Sequence, residues 1–283
     1  MLRPYIELLR PPNLVTAAAD ILAGFAVAGR SRPWLIVASV CLYGGGVVLN
    51  DYFDRELDAV ERPERPIPSG RVQPGNAAKF GSALLLVGIA SASLVSFLSA
   101  LIAGWIAVFV VLYDSWGKQD SLLGPVNMGL CRAMNLILGI SAVPSAVSGH
   151  WRLALLPLLY IWGVTALSRG EVHGANRGSV IFSLLCVLSV LAGVLMLTLS
   201  PGHSTIAGGG LVLVLAWRIL PAFWRAYGDP QPSVIRNAVR AGVLSLVFLD
   251  AVIAAAYGGS LYGLLLVIMA LLAGRLARMF AVT

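Results

Sequence analysis

The sequence predicts an all-α fold, a polytopic bundle of nine to ten transmembrane helices. Only 12% of its 283 residues are charged, 58% are hydrophobic, and the mean hydropathy is +0.86. A soluble domain carries about 25% charged residues, so this chain has too little charge to face water on all sides. Its apolar residues also fall in blocks of about 20, the length that crosses a hydrocarbon core about 30 Å thick. The backbone must satisfy its own hydrogen bonds in that medium, which makes each block a helix. A soluble enzyme, a secreted disulfide scaffold and a nucleic-acid binder are excluded, although the pI is near 9.7.

In order, the apolar runs bounded by proline, glycine or charge cover residues 13–29, 34–50, 80–97, 99–113, 123–147, 152–167, 179–199, 205–224, 238–257 and 260–274. The last two flank Gly258, Gly259 and Ser260 and could form one broken element, which would leave nine spans. Ahead of the first run, Met1 to Asn13 holds Arg3, Arg10 and three prolines but no cleavage-site pattern, so the first span is expected to stay in the mature protein. Gly44, Gly45 and Gly46 follow no strand and precede no GK[ST], so they read as a helix-packing face rather than a phosphate loop. Cys41, Cys131 and Cys186 lie far apart inside apolar blocks and read as small hydrophobes. Trp34, Trp105, Trp151 and Trp224 sit near span ends, as an aromatic belt would. No linker divides the chain, and residues 1–283 are expected to form one domain.

The basic residues orient the bundle. With the N-terminus in the cytoplasm, 15 of the 20 lysines and arginines fall on that side and only Arg30, Arg32 and Arg152 on the other. This asymmetry predicts an even number of helices with both termini cytoplasmic, and a bacterial plasma membrane as the location.

Acidic residues are more concentrated still. Six of the 13, Asp51, Asp54, Glu56, Asp58, Glu61 and Glu64, lie within fourteen residues at the cytoplasmic end of the second span. On a continuous helix Asp54 is about 60° and Asp58 about 20° from Asp51, on the same side, so the three carboxylates share a face with Asn50 beside them. Converging hard oxygens suit Mg²⁺, which takes one or two carboxylates and keeps waters and phosphate oxygens in its octahedron. A metal-bridged diphosphate with its hydrocarbon tail among the helices fits both the carboxylates and the apolar run before them. A solvated, charged helix end is the alternative. Beyond the cluster, Arg62 to Arg71 is a loop stiffened by three prolines. Its arginines, Arg62, Arg65 and Arg71, can hold phosphate oxygens in a bidentate fork or serve only the positive-inside bias.

Asn50 to Asp58 reads NDxxDxxxD, and RPxPSGR follows at Arg65 to Arg71. With the opening Leu9-Arg10-Pro11-Pro12-Asn13, these strings resemble the UbiA superfamily of intramembrane prenyltransferases. Tyr113, Lys118 and Leu123-Gly124 extend the likeness, which has landmarks to about residue 180. The resemblance implies a helical bundle around a central cavity under a cytoplasmic cap. It implies a prenyl diphosphate donor held by Mg²⁺, and an allylic cation captured by a lipophilic, usually aromatic, acceptor. Asn50, Asp51, Asp54 and Asp58 would form the metal site, Lys118 would meet the diphosphate, and Tyr113, Arg65 and Arg71 would help bind it.

A second acidic motif, of the DxxxD kind, is implied at the end of the sixth span. The chain has Ser168-Arg169-Gly170-Glu171-Val172-His173-Gly174 there, a string similar to a divergent, EboC-like branch of the superfamily. Glu171 is its only carboxylate and His173 stands where an aspartate would be. Imidazole is a poor ligand for Mg²⁺, so a complete second metal site is not expected. Three outcomes remain open: an altered diphosphate site built from Glu171, His173 and Asn176 with Arg169 or Arg177 as countercharge; single-metal transfer to an unusual acceptor; or a lipid-binding or transport protein without catalysis.

Charged groups inside spans usually face a cavity or a partner. Asp20, Arg132, Asn135, Arg218 and Asp250 qualify. Arg132 and Asn135 are three apart and share a helix face, from which they reach the acceptor or diphosphate, or from which Arg132 pairs with Asp20 to lock two helices. Asp250 could pair across helices, and Arg218 could snorkel to the interface.

Overall fold

The computed structural model describes residues 2–115, 117, 120–202 and 205–279. Prolines open many of its helices, since φ is already helical and the missing N–H is one that the first turn leaves unbonded. After the short α1 (Arg3–Leu9), Pro11 opens α2 (Pro11–Ala28) and Pro33 opens α3 (Pro33–Phe53), which leads through Asp54 into α4 (Arg55–Glu61). Pro74 opens α5 (Pro74–Ser93), and α6 (Phe97–Ser115) returns. Next come α7 (Leu123–Ile140), α8 (Pro144–His150) and α9 (Leu155–Ser168), with a 3₁₀ turn at Trp151–Ala154 between the last two. The chain closes with α10 (Arg177–Leu199), α11 (Thr205–Gly228), α12 (Pro232–Gly258) and α13 (Ser260–Leu276).

Nine helical segments among the described residues are long and apolar enough to cross a membrane, with α13 a shorter tenth. The chain is therefore an integral membrane protein, and the expectation of nine to ten helices holds. The doubtful final pair is resolved as two helices. Gly259, at φ +83°, breaks the chain between α12 and α13, and α13 runs back along α12 until Arg240 Nη2 donates to the Ala277 carbonyl at 3.0 Å.

Boundaries differ from the sequence reading in two ways. The apolar run 123–147 is split at Ser141–Val143, because Pro144 starts a new helix and the residue before a proline is pushed out of the helical region. In the other, a proline opens a helix ahead of its apolar run: α5 and α12 each begin six residues early, at Pro74 and Pro232, where polar or charged residues interrupt the hydrophobic signal.

The core has two lobes that share α2 and α7. Ala19, Ala23, Leu136 and Ile140 pack into a lobe with α9 to α13, while Ile21, Phe25 and Leu138 pack into one with α3, α5 and α6. The two shared helices meet backbone to backbone: a Cβ on Gly24 would lie 2.6 Å from Gly139. Likewise a Cβ on Gly45 would lie 2.8 Å from the Gly81 carbonyl of α5, so the triple glycine is a packing face. Most of α12 is buried between these neighbours. Trp34, Trp105, Trp151 and Trp224 are all exposed, and Arg218 lies on the outer face over the Phe248 ring, 4.7 Å from its centroid. The three cysteines are free.

Candidate active site

α3 carries Asn50 and Asp51 to one end of the bundle and stops at Phe53. Asp54 keeps the helical bonding, with its N–H on Asn50 O at 2.9 Å and its carbonyl accepting from Asp58 N at 2.8 Å, but ψ is near 1° and the axis shifts there. Asp51 and Asp58 still come together across this break. Arg65 Nη1 donates to Asp58 Oδ2 at 2.7 Å and to Asp51 Oδ1 at 3.3 Å, and Arg10 Nη2 donates to Asp51 Oδ1 at 2.6 Å. Asp51 and Asp58 are 4% and 3% exposed, so these are desolvated, charge-assisted bonds. The loop after α4 holds Arg65 inward because its own Ile67 and Val72 are buried with Leu8, Val48 and Ala77, and Ser69 Oγ donates to Arg65 O at 2.6 Å.

Arg71 goes elsewhere. Its Nη1 binds Glu7 Oε2 at 2.5 Å and its Nη2 the Glu64 carbonyl at 2.7 Å, a partly exposed tie between α1 and the loop rather than a contact to the carboxylates. Arg10 takes the position beside Asp51 instead. Sequence reasoning noted Arg10 only as part of the opening string; its position just before the first span, at the same membrane face as Asp51, was the available signal.

A further carboxylate at this end comes from α6. Asn50 Nδ2 donates to Asp114 Oδ1 at 3.0 Å, and Asp114 is buried. Tyr113 sits within the electrostatic reach of Asp114, Asp54 and Arg169. Asp114 was missed, though it follows Tyr113 directly and ends a span on the same side. Lys118 lies outside the described residues.

The 169–176 loop meets this cluster through arginines. Arg62 and Arg236 are the charges nearest Glu171; burial pushes its carboxyl above the usual glutamate range and the two guanidiniums work against that. His173 and Arg177 are exposed. Asn176 caps α10, its Oδ1 accepting from Ser179 N at 2.7 Å, a role that explains its presence without a ligand. Gly174, at φ +85°, lets the loop turn under Pro230, whose carbonyl accepts from Ala175 N at 3.1 Å. The loop also lines a cavity of about 550 Å³, which opens between Ser121, Leu122, Trp162, Arg169, Asn176 and Phe182. Arg169 Nη1 also holds the Asp120 carbonyl at 2.9 Å. The backbone N–H groups of Leu122 and Leu123, both 2.8 Å from Asp120 Oδ1, hold that carboxyl below its usual range.

Arg132 and Asn135 are not at the carboxylate cluster. Arg132 Nη1 donates to Asp20 Oδ2 at 2.6 Å and its Nη2 to Thr16 Oγ1. Asn135 Nδ2 reaches the same Asp20 oxygen at 2.7 Å and Ala17 O at 2.9 Å. Asp20 lies ten residues beyond Arg10, about 15 Å along the helix at 1.5 Å per residue. The expected substrate contacts of Arg132 and Asn135 are replaced by an interhelical lock between α2 and α7, the alternative that the sequence had left open for Arg132. Asp250 joins from α12, within hydrogen-bond reach of Asp20.

Among the described residues, no three Asp, Glu, His or Cys side chains are gathered closely enough to hold a metal ion. The donor set nonetheless fits Mg²⁺ arriving with a diphosphate. Mg²⁺ needs only one or two carboxylates when substrate oxygens complete its shell. Asp54 and the Asn50 amide oxygen would provide hard donors, while Asp51 accepts from Arg10 and Arg65 and Asp58 from Arg65.

The model of the UbiA prenyltransferase family matches residues 15–238. The chain is 34% identical over 171 residues to digeranylgeranylglyceryl phosphate synthase of Methanothermobacter thermautotrophicus, covering 58% of this chain and 58% of that one. It is 33% identical over 211 residues to the synthase of the same name from Methanospirillum hungatei, covering 68% and 75%. In the first of these the matched part is thus less than two thirds of the relative's length. In structure it resembles a UbiA homologue from Archaeoglobus fulgidus bound to DMAPP and Mg²⁺, with TM-score 0.65 and 13% identity, covering 88% of this chain and 98% of that one. A likeness at that identity speaks for the fold.

Proposed function

This chain belongs to the UbiA prenyltransferase family, and from that premise we propose that it moves an isoprenyl group from a prenyl diphosphate to a lipophilic acceptor inside the membrane, with Mg²⁺. The observation that carries this reading is the convergence of Asn50, Asp51, Asp54, Asp58, Tyr113 and Asp114 with Arg10 and Arg65 at one end of an apolar bundle. Mg²⁺, when bound with the donor by Asp54 and Asn50, would neutralise charge gathering on the departing diphosphate. Arg10 and Arg65 exchange their carboxylates for phosphate oxygens, to which a guanidinium offers a planar fork. Tyr113, beside Asp54, is placed to donate its hydroxyl to the same group. The bond between the allylic carbon and its oxygen breaks with the electron pair leaving on pyrophosphate; the acceptor then bonds to that carbon and loses a proton. Apolar helix faces keep out the water that would otherwise capture the cation.

The relatives' name directs the choice of acceptor. Digeranylgeranylglyceryl phosphate carries its chains on a glyceryl phosphate, so a prenylated glyceryl phosphate is the first acceptor to offer and an aromatic one the second. The active-site end faces the cytoplasm on this reading, which the excess of lysine and arginine there supports. The arginines that surround Glu171 favour a single-metal site over two.

The test is an assay of the purified protein in liposomes with C10 to C20 prenyl diphosphates, each acceptor class, and Mg²⁺ or EDTA, followed by mass spectrometry of the extracted lipids. A prenylated product that requires Mg²⁺ supports transfer. Donor binding with no product from any acceptor would make the chain a non-catalytic binder of prenylated lipids.

A further inference from the structure

The pairing of Asn50 with Asp114 settles which way the Asn50 amide faces. A carboxylate has only acceptors to offer, so the amide must turn its nitrogen toward Asp114, and Nδ2 lies 3.0 Å from Asp114 Oδ1. The amide oxygen is thereby turned away, free for a hard cation. With a hydroxyl or a second amide at position 114, either flip would be satisfied and the oxygen would be presented only part of the time.

The two helices that make this bond are held in register just below it. A Cβ on Gly46 of α3, four residues before Asn50, would lie 2.8 Å from Val110 Cγ1 of α6, four residues before Asp114. The glycine lets the helices close to that distance, and one turn further on the amide and carboxylate meet. Asp114 is 3% exposed, so its side of the bond is shielded from water, where a hydrogen bond is electrostatically stronger.

We propose that Asp114 is a positioning residue: its carboxylate fixes the Asn50 amide with the oxygen presented to the Mg²⁺ that accompanies the donor. The inference rests on Asn50 being a ligand in the function proposed above. It differs from the implied acidic motifs in that Asp114 belongs to neither, and acts from a third helix through the amide. Partners that orient a metal ligand typically change metal affinity by about 10- to 100-fold when removed.

The experiment is an Mn²⁺ titration followed by electron paramagnetic resonance, with Mn²⁺ replacing Mg²⁺ and a thiodiphosphate donor analogue present. It compares the unaltered protein, Asp114→Ala, Asp114→Asn and the exchanged pair Asn50→Asp/Asp114→Asn, each checked for folding by its metal-free melting temperature. Asp114→Ala is expected to weaken Mn²⁺ binding about 10- to 100-fold. Asp114→Asn, which still accepts in one of its two flips, should weaken it less. The exchanged pair restores one donor and one carboxylate with the charge unchanged, and should bind within about threefold of the unaltered protein. Equal affinity of Asp114→Ala and the unaltered protein would overturn the inference while leaving the proposed function standing. So would an exchanged pair no better than Asp114→Ala. An unaltered protein that binds no Mn²⁺ with the analogue would overturn the functional reading itself, and the inference with it.

Discussion

Arg65 Nη1 joins Asp58 Oδ2 at 2.7 Å and Asp51 Oδ1 at 3.3 Å, so one guanidinium holds together two carboxylates seven residues apart on either side of a helix break. On the proposed function, this cation balances the carboxylate charge before a donor arrives with Mg²⁺. Arg65→Ala should therefore weaken prenyl diphosphate binding by roughly 1.5–3 kcal/mol, the range for hydrogen bonds to charged groups, while Mg²⁺ alone binds more tightly to the freed carboxylates. Calorimetric titration with donor and with Mg²⁺ separately measures both. Unchanged donor affinity would remove Arg65 from the binding site.

The Asp20–Arg132 pair is buried among α2, α7 and α12, and removing one partner leaves the other charge without compensation. Asp20→Ala or Arg132→Leu should cost about 3–5 kcal/mol, read as a fall in melting temperature in detergent. Asp250 provides a finer test. Neither of its carboxylate oxygens meets an N–H or O–H among the described residues, while Asp20 lies within reach. A donor at this position would meet Asp20, and Asp250→Asn supplies one through its amide. The variant should melt within a few degrees of the unaltered protein, whereas Asp250→Leu, which cannot donate, should melt well below it. Equal melting of the two variants would show that Asp20 takes no hydrogen bond from position 250.

Close approach of α3 and α5 gives a steric prediction. Gly45→Ala would place a methyl 2.8 Å from the Gly81 carbonyl, an overpacking worth about 1–3 kcal/mol. Gly104, in α6, has nothing within 4 Å of the same added atom. Gly104→Ala should stabilise by up to about 1 kcal/mol through helix propensity. If the two substitutions shift the melting temperature alike, the helix contact is not as close as described.

Glu171 makes stability depend on pH. Burial raises its carboxyl above the usual value, with Arg62 and Arg236 opposing, so in the window between those two values the folded chain holds more proton than the unfolded one. Stability should then fall as pH rises through that window and level off above it. Glu171→Gln removes the titration and should flatten its share of the slope in melting curves taken from pH 4 to 8. A steeper slope in the variant would reverse the sign assigned to Glu171.

The spans could be read from the sequence because hydropathy alone drives insertion, and the Gly44–Gly46 packing face because no strand or GK[ST] competed with it. The nearness of Asp51 and Asp58 was legible for a different reason: their spacing survives the break at Asp54, since Arg65 bridges the two whether or not one helix axis continues. Spacing could not reveal Asp114, which meets Asn50 across 64 residues of chain. Nor could it decide between Arg65 and Arg71, two arginines in one loop of which one turns inward and the other caps α1 through Glu7. Arg132 had two possible partners in the sequence, and the crossing of α2 and α7 at Gly24 and Gly139 sets Asp20 beside it.

The measurement that bears most directly on the central claim is pyrophosphate release by purified protein in liposomes, with a prenyl diphosphate, a prenylated glyceryl phosphate acceptor and Mg²⁺, compared between the unaltered chain and Asp54→Ala. The account predicts release that EDTA stops and that Asp54→Ala reduces by at least about 100-fold, or ~2.7 kcal/mol in the barrier. Release that continues in Asp54→Ala, or that ignores EDTA, would contradict it.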